Sequence, residues 1–304
     1  MAKKNILVDL LRLKYINTGL GQVCLAYGAE LSKIRHPHFQ FTFLVPHGFA
    51  GYFGEHINYI VPSTIKHFLF PRLLSKSFDL WHAVHQDIHY YPYEHIPLVF
   101  TVHDLNFIQE KTRIKIQHRK NKLNFFLRRT AQTVAISNYT KQEIETILSV
   151  KSPIDVIYNG VNIATEVKAE PPAFIDTTPF LLAIGVFKPN KNYQSLVHLM
   201  NEYPGKRLII AGTHNTTYGK TILGMIRKKG LQSRIITPGI ISEADKTWLY
   251  AHCEALLFPS TNEGMGLPII EAMRFGKPVI AARQSCIPEF GKDYAYYFSS
   301  FEPA

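Results

Sequence analysis

Two carboxylates eight residues apart, Glu263 and Glu271, bracket a glycine-rich turn within the segment FPSTNEGMGLPIIEAMRFGKPVIA, residues 258–281. The segment reads strand, turn, helix, glycine stop, strand. Pro268 suits the first turn of a helix, and Gly276 the position just past its end. Gly264 and Gly266 remove side chains where main-chain amides would face a ligand. The helix that follows adds unsatisfied N–H groups and the positive end of its dipole, so the turn reads as a phosphate cradle. Carboxylates beside phosphate repel it unless they hold something uncharged, and the hydroxyls of a sugar or ribose meet that need. The bland alternative is a solvated glutamate on a helix that follows a tight turn.

Other residues that could carry chemistry lie in the first half. His103-Asp104 ends a strand and falls at the ligand edge of a sheet. In WHAVHQDIHYYP, His82, His85 and His89 have spacings of three and four that would suit zinc on one helix face. The preceding FDLWHAV reads as strand running into loop, which favours polar loop residues near an acceptor. A divalent metal that assists phosphate chemistry is commonly held by an Asp-x-Asp triplet, and none occurs in this chain. From Lys111 to Arg129 there are eight cations and no acid, interleaved with Ile114, Ile116, Leu123, Phe125, Phe126 and Leu127. That pattern reads either as a basic amphipathic helix for an anionic membrane surface or as a packed helix with a solvated basic face.

The elements that must position these residues alternate along the chain. Strand patterns fall at Asn5–Leu11, Phe39–Val45, Leu80–Val84, Leu98–Val102, Thr133–Ile136 and Ile154–Tyr158. Further strand patterns fall at Phe180–Ile184, Arg207–Ala211, Arg234–Ile236, Ala255–Phe258 and Pro278–Ala281. Several are continuous apolar runs, the mark of strands covered on both faces. Helical patterns at Gly21–Arg35, Lys115–Thr130, Asn138–Leu148, Asn192–Glu202, Gly219–Lys229, Ala244–His252 and Pro268–Phe275 fit between them. The alternation predicts an α/β fold of doubly wound parallel sheets, with ligands beyond the carboxyl ends of the strands. At 304 residues the chain has room for about two domains. Pro171-Pro172 and the scarcity of large apolar residues put the boundary at Ala164–Thr178. That gives a first domain over 1–165 and a second over 175–304.

Composition narrows the partners. Apolar residues at 46% exclude a disordered chain. A formal charge of +11 favours polyanions, but no recognition motif supports nucleic acid. Cys24, Cys253 and Cys286 are odd in number and widely spaced, so they read as reduced, buried thiols. Asp9, Arg12 and Lys14 interrupt the apolar N-terminal run, and no stretch reaches the ~20 apolar residues that span a bilayer. The expected location is cytoplasmic.

EGMGLPIIEAM resembles the E-x7-E signature of retaining GT-B glycosyltransferases, above all family 4. Further segments agree in order: TGLGQV at Thr18–Val23, TVHDL at Thr101–Leu105, AISNYTKQEI at Ala135–Ile144 and VIYNGVN at Val156–Asn162. GVFKPNKN at Gly185–Asn192 is similar to the family's G-x5-K-N element, and SCIPEF at Ser285–Phe290 to its post-strand loop. The resemblance implies a GT-B architecture of two Rossmann-like domains facing a cleft. It implies that Glu271 binds the donor ribose, Glu263 the transferred sugar and Lys191 the diphosphate. Gly21, Gly185, Gly264, Met265, Gly266 and Leu267 would line the donor, and His103 would lie beside the reacting sugar. His82, His85 and Asp104 fall on the acceptor or cleft side. A fixed cation at Lys191 opposes the charge that a leaving nucleoside diphosphate gains in the transition state. Val186 stands where the family often has a basic residue, and Lys188 is the nearest substitute. The family usually continues for several tens of residues beyond a strand near Ala295–Phe298, so the second domain is expected to lack its last helices.

The resemblance therefore implies a retaining, metal-independent glycosyltransferase with no cofactor. It would move a hexose from a GDP- or UDP-sugar, GDP-mannose by preference, to an envelope glycan or lipid-linked acceptor. The basic segment Lys111–Arg129 would add a peripheral contact with the inner face of the plasma membrane. Rival readings are an inactive GT-B subunit that binds nucleotide sugar or membrane, and a GT-B phosphorylase or epimerase.

Overall fold

The computed structural model describes residues 3–62, 78–110, 112–161 and 170–301, and the chain divides into two compact units, residues 1–160 and 161–304. The expected boundary at Ala164–Thr178 lies partly on residues 162–169, outside the described residues.

The first unit holds a parallel sheet in the order β3-β2-β1-β4-β5-β6-β7. Its strands are β1 (Lys4–Asp9), β2 (Phe39–Leu44), β3 (Asn58–Ile60), β4 (Leu80–Ala83), β5 (Leu98–Val102), β6 (Gln132–Ala135) and β7 (Ile154–Val156). Helices α1 (Gly19–Lys33), α2 (Phe107–Glu110), α3 (Arg113–Leu127) and α4 (Asn138–Ile147) connect them, and a 3-10 turn at Leu11–Tyr15 follows β1. Because β2 pairs with one edge of β1 and β4 with the other, the crossovers diverge at β1. In open α/β sheets that divergence, at the carboxyl ends, is where ligands bind.

The second unit repeats the plan in the order β10-β9-β8-β11-β12-β13, again parallel. Its strands are β8 (Leu181–Ile184), β9 (Leu208–Ala211), β10 (Ile235–Gly239), β11 (Ala255–Phe258), β12 (Val279–Ala281) and β13 (Ala295–Tyr297). Helices α5 (Tyr193–Glu202), α6 (Thr217–Lys228), α7 (Glu243–His252), α8 (Leu267–Arg274) and α9 (Ile287–Gly291) lie between them.

The continuous apolar runs are explained by cover on both faces. Alternate strand residues point to opposite sides. Leu182, Ile209 and Leu256 accordingly enter one core of the second unit, while Ala183, Leu208, Ile210 and Leu257 enter the other. Leu7 and Leu44 likewise enter one core of the first unit, and Val8 and Phe43 the other. The three cysteines are buried and unpaired, and burial raises the pKa of each thiol, that of Cys253 to about 11.

Several elements depart from the periodicity, and two have a clear local reason. Strand β3 has three residues at the sheet edge, too few to show alternation. Helix α1 starts two residues early because Thr18 Oγ1 accepts from the Gly21 amide at 3.3 Å, which fixes the cap ahead of the glycines.

Candidate active site

The end of β8 carries Gly185, and a 3-10 turn at Pro189–Lys191 leads into α5. Lys191 Nζ reaches Glu263 Oε1 at 2.6 Å, with side chains 15% and 14% exposed. Gly185 makes room for this arrangement: a Cβ there would stand 3.0 Å from Lys191 Cε and from the Tyr193 hydroxyl. The Tyr193 hydroxyl donates to the Gly185 carbonyl at 3.2 Å, and Lys191 Nζ lies 5.2 Å from the centre of the Phe258 ring. The two loops are tied by one main-chain bond and one from a side chain. Thr261 N donates to Asn190 O, and Asn190 Nδ2 to Asn262 O, both at 2.8 Å. The G-x5-K spacing is thus the span from a strand end, through one tight turn, to a cation over the neighbouring strand end. Val186 leaves Lys191 as the cation of this turn that faces Glu263.

Glu263 lies in the turn between β11 and α8, and its amide donates to Ser285 Oγ at 3.1 Å. Met265 is buried, and Gly266 adopts a left-handed conformation (φ 74°) that lets the chain turn into α8. No side chain caps that helix, and Leu267 and Pro268 open it. Glu271 follows on α8. Its Oε2 accepts from the Tyr250 hydroxyl at 2.6 Å, and its Oε1 from Lys246 Nζ at 3.4 Å. Lys246 also pairs with Glu243 at 2.8 Å. Burial works against the Lys246 charge, but Glu271 and Glu243 outweigh it and its pKa is raised. Burial, then the Glu271 charge, holds the Tyr250 phenol well above its ordinary value. Burial and the Glu263 charge do the same to Tyr193, which in turn acts on Tyr250. Lys191 thus pairs with Glu263, and Tyr250 and Lys246 with Glu271, on the turns and helices that follow the carboxyl ends of β8 and β11.

In the first unit His103 follows β5 directly. Its Nε2 donates to the Val84 carbonyl at 2.8 Å, which leaves Nδ1 as the acceptor. Burial lowers its pKa to about 4, so the ring is neutral at pH 7. Gln86 locks the loop, accepting from the His103 amide at 3.0 Å and donating to the Asp104 carbonyl at 3.0 Å. Asp104 Oδ1 accepts from the Asn106 amide at 3.0 Å. His82 sits inside β4 rather than in a loop, between the Tyr27 hydroxyl and Thr101 Oγ1, each at 3.2 Å. Burial brings its pKa to about 4. His85 is buried, with Nε2 3.7 Å from Asp9 Oδ1. The His82, His85 and His89 spacing thus runs out of a strand and not along a helix, and among the described residues no group of three or more His, Cys, Asp or Glu side chains could hold a metal ion. Gly21 is buried in the first turn of α1, where a Cβ would stand 2.2 Å from the Tyr15 carbonyl oxygen. Its amide is taken by the Thr18 cap, so the structure gives Gly21 a packing role.

Two family models meet in this chain. One described as glycosyl transferases group 1 matches residues 165–300, and one described as glycosyltransferase family 4 matches residues 28–165. The chain belongs to the group 1 glycosyltransferases. Two curated relatives of this group 1 chain are a serotype-specific mannosyltransferase WbdA of Escherichia coli and the O-antigen chain mannosyltransferase RfbU of Salmonella typhimurium. WbdA is 27% identical over 187 residues, 56% of this chain and 22% of the relative. RfbU is 28% identical over 201 residues, 64% and 55% respectively. The chain therefore spans about half the length of RfbU and less of WbdA. The fold is GT-B, shared with Anabaena HepE solved in complex with UDP-glucose: TM-score 0.73 and 19% identity, over 97% of this chain and 85% of that one.

Sequence reading of this group 1 glycosyltransferase missed Tyr250, Lys246, Tyr193 and Gln86. The first two lie on α7, distant in sequence from Glu271, and nothing in their spacing points to it. Tyr193 has a readable signal, two residues after Lys191 at the start of a helix. The basic helix α3 packs Ile116 partly against the core and is most deeply buried at its C-terminal end. Leu123, Phe126 and Leu127 are buried there, whereas Ile114 is 84% exposed. Lys111 lies outside the described residues. Among those described, no helix is long and apolar enough to cross a membrane.

Proposed function

We propose that this chain is a retaining glycosyltransferase that moves a hexose from a nucleotide sugar to a glycan or lipid-linked acceptor without a divalent metal. The observation that carries the reading is the Lys191–Glu263 pair, with Glu271 oriented on the helix that opens beside it. Lys191 and the amides that open α8 take the place a metal would fill, neutralising the departing diphosphate. Glu263 accepts from sugar hydroxyls, and Glu271 from the ribose. Transfer proceeds on one face. The acceptor oxygen bonds to the anomeric carbon as its bond to the diphosphate breaks, and the leaving phosphate oxygen takes the acceptor's proton. His103, neutral and with Nδ1 as acceptor, orients hydroxyls in this scheme rather than removing protons.

The sequence relatives named mannosyltransferases favour mannose, and the one acting on O-antigen chains favours an envelope glycan. GDP or UDP is the nucleotide. The basic face of α3 suits anionic lipid at the cytoplasmic surface. A thermal-shift panel of GDP-, UDP- and ADP-sugars, with and without EDTA, tests the reading. Stabilisation by one nucleotide sugar, unchanged by EDTA, is expected. Stabilisation that vanishes with EDTA overturns metal independence, and no shift with any sugar nucleotide overturns the donor.

A further inference from the structure

In the first unit, two arginines from separate chain segments converge on one carboxylate, and a lysine stands one helical turn from one of them. Arg12, in the turn after β1, places Nη2 2.6 Å from Asp87 Oδ2. Arg119, on α3, places Nη2 2.8 Å from Asp87 Oδ1. Asp87 lies in the loop that follows β4. Lys122, one helical turn beyond Arg119, also feels this group. Desolvation lowers its pKa, Asp87 raises it, and Arg119 and Arg12 lower it again, with a net fall. Three positive charges thus share a single negative one.

Their position gives the excess a meaning. Arg12 and Asp87 leave the carboxyl ends of β1 and β4, the adjacent strands at which the crossovers diverge. Helix α3 follows the next strand, β5. The crowded cations therefore stand at the ligand edge of the first sheet, at its topological switch point. None is sequestered: the Arg12 and Arg119 side chains are 25% and 38% exposed, and that of Asp87 33%. A phosphate group offers three acceptor oxygens and nearly two negative charges, and two guanidinium groups match it better than one carboxylate does.

We propose that Arg12, Arg119 and Lys122 form a phosphate subsite of the first unit, with Asp87 as its placeholder, and that it takes a phosphate group carried by the sugar acceptor. The acceptor half rests on the transferase reading above; the anion binding does not.

Isothermal titration of the full chain, wild type and Lys191→Ala, with inorganic phosphate and with a short-chain alkyl phosphate monoester tests both halves. The Lys191→Ala background removes the cation of the second unit's site. Saturable binding is expected in it, tighter for the alkyl ester. Arg119→Gln and Lys122→Gln should each weaken it about tenfold, the worth of one charge-assisted hydrogen bond. Asp87→Asn should tighten binding, because the placeholder's charge is gone. If the cluster is only a structural ion-pair group, Asp87→Asn lowers the melting temperature without gain in phosphate affinity, and the proposal falls. It also falls if neither phosphate binds, or if both bind equally in all variants. Equal affinity for the two phosphates in the unsubstituted cluster overturns the acceptor assignment. Failure of nucleotide sugars to bind the wild-type chain, with phosphate binding intact, would instead count against the transferase reading alone.

Discussion

The Lys191 ammonium and the Glu263 carboxylate are 2.6 Å apart and largely shielded from solvent, so this pair carries no net charge of its own. On the proposed function, a nucleotide sugar exchanges both partners, diphosphate for Glu263 and sugar hydroxyls for Lys191. The cation is then realised most fully as the diphosphate departs, which is the condition for lowering a barrier rather than only tightening binding. Lys191→Ala and Glu263→Ala should each cut transfer by about 10²–10³, with circular dichroism unchanged. Each leaves its partner half-buried and alone and should lower the melting temperature. The double variant should recover part of that loss. Wild-type turnover in either single variant would remove that residue from the mechanism.

Tyr250 orients Glu271 through a 2.6 Å bond while its ring lies parallel to that of Phe275, 6.1 Å away. Tyr250→Phe keeps the packing and deletes the donor. A hydrogen bond to a charged group contributes about 1.5–3 kcal/mol, so the donor KM should rise roughly tenfold or more. The effect on kcat should be small if, as proposed, Glu271 holds the ribose and not the reacting carbon. A variant that lowers kcat at unchanged KM would contradict this placement. The raised phenol pKa adds a signature. The unfolded chain loses this proton near pH 10 and the native one does not, so stability should fall with rising pH above that point, less steeply in Tyr250→Phe.

Most of the architecture is legible because both sheets are parallel and covered on both faces, so strands such as Leu208–Ala211 appear as unbroken apolar runs. The donor loop is legible for another reason. Gly185 and Lys191 occupy one tight turn, and Glu263, Gly266 and Glu271 one turn and helix, so local spacing carries their geometry. Tyr250 and Lys246 are brought to Glu271 only by the packing of α7 on α8, and no local pattern reports that. Gly21 shows the converse. Its place in a glycine-rich loop after β1 invites a ligand role, and the close approach of the Tyr15 carbonyl gives the missing side chain a packing reason as well. His82 is likewise a polar residue within β4 whose ring is satisfied by Tyr27 and Thr101 from neighbouring elements, partners that no local pattern reports.

Two buried histidines make the first unit acid-sensitive. His103 and His82 titrate at about 4 in the native state, chiefly because burial disfavours the charged ring. In the unfolded chain they titrate near 6.5. Between those values the unfolded state binds more protons, so stability present above pH 6.5 is lost as pH falls toward 4. Melting temperatures measured from pH 7.5 to 4.5 should decline, and His103→Gln should flatten the decline. Parallel curves for the two proteins would show that His103 does not hold a neutral ring through this range.

Gly212 lies just past the end of β9, where its φ of 141° and its neighbours leave no space for a side chain. A Cβ there would stand 2.1 Å from the Gly185 carbonyl oxygen. Backbone strain and overpacking together should cost Gly212→Ala about 2–5 kcal/mol. The displaced strand end is the one that seats Lys191, so donor affinity should fall with stability. Gly205→Ala is the control: nothing lies within 4 Å of its added carbon, and the turn it occupies is distant in sequence from the site loops. That change should be neutral or stabilise by about 0.4–1 kcal/mol through the unfolded state. Donor titration and thermal melts of the two variants separate the outcomes. Loss of stability in Gly212→Ala with full donor affinity would show that Gly185 can shift without carrying Lys191 with it.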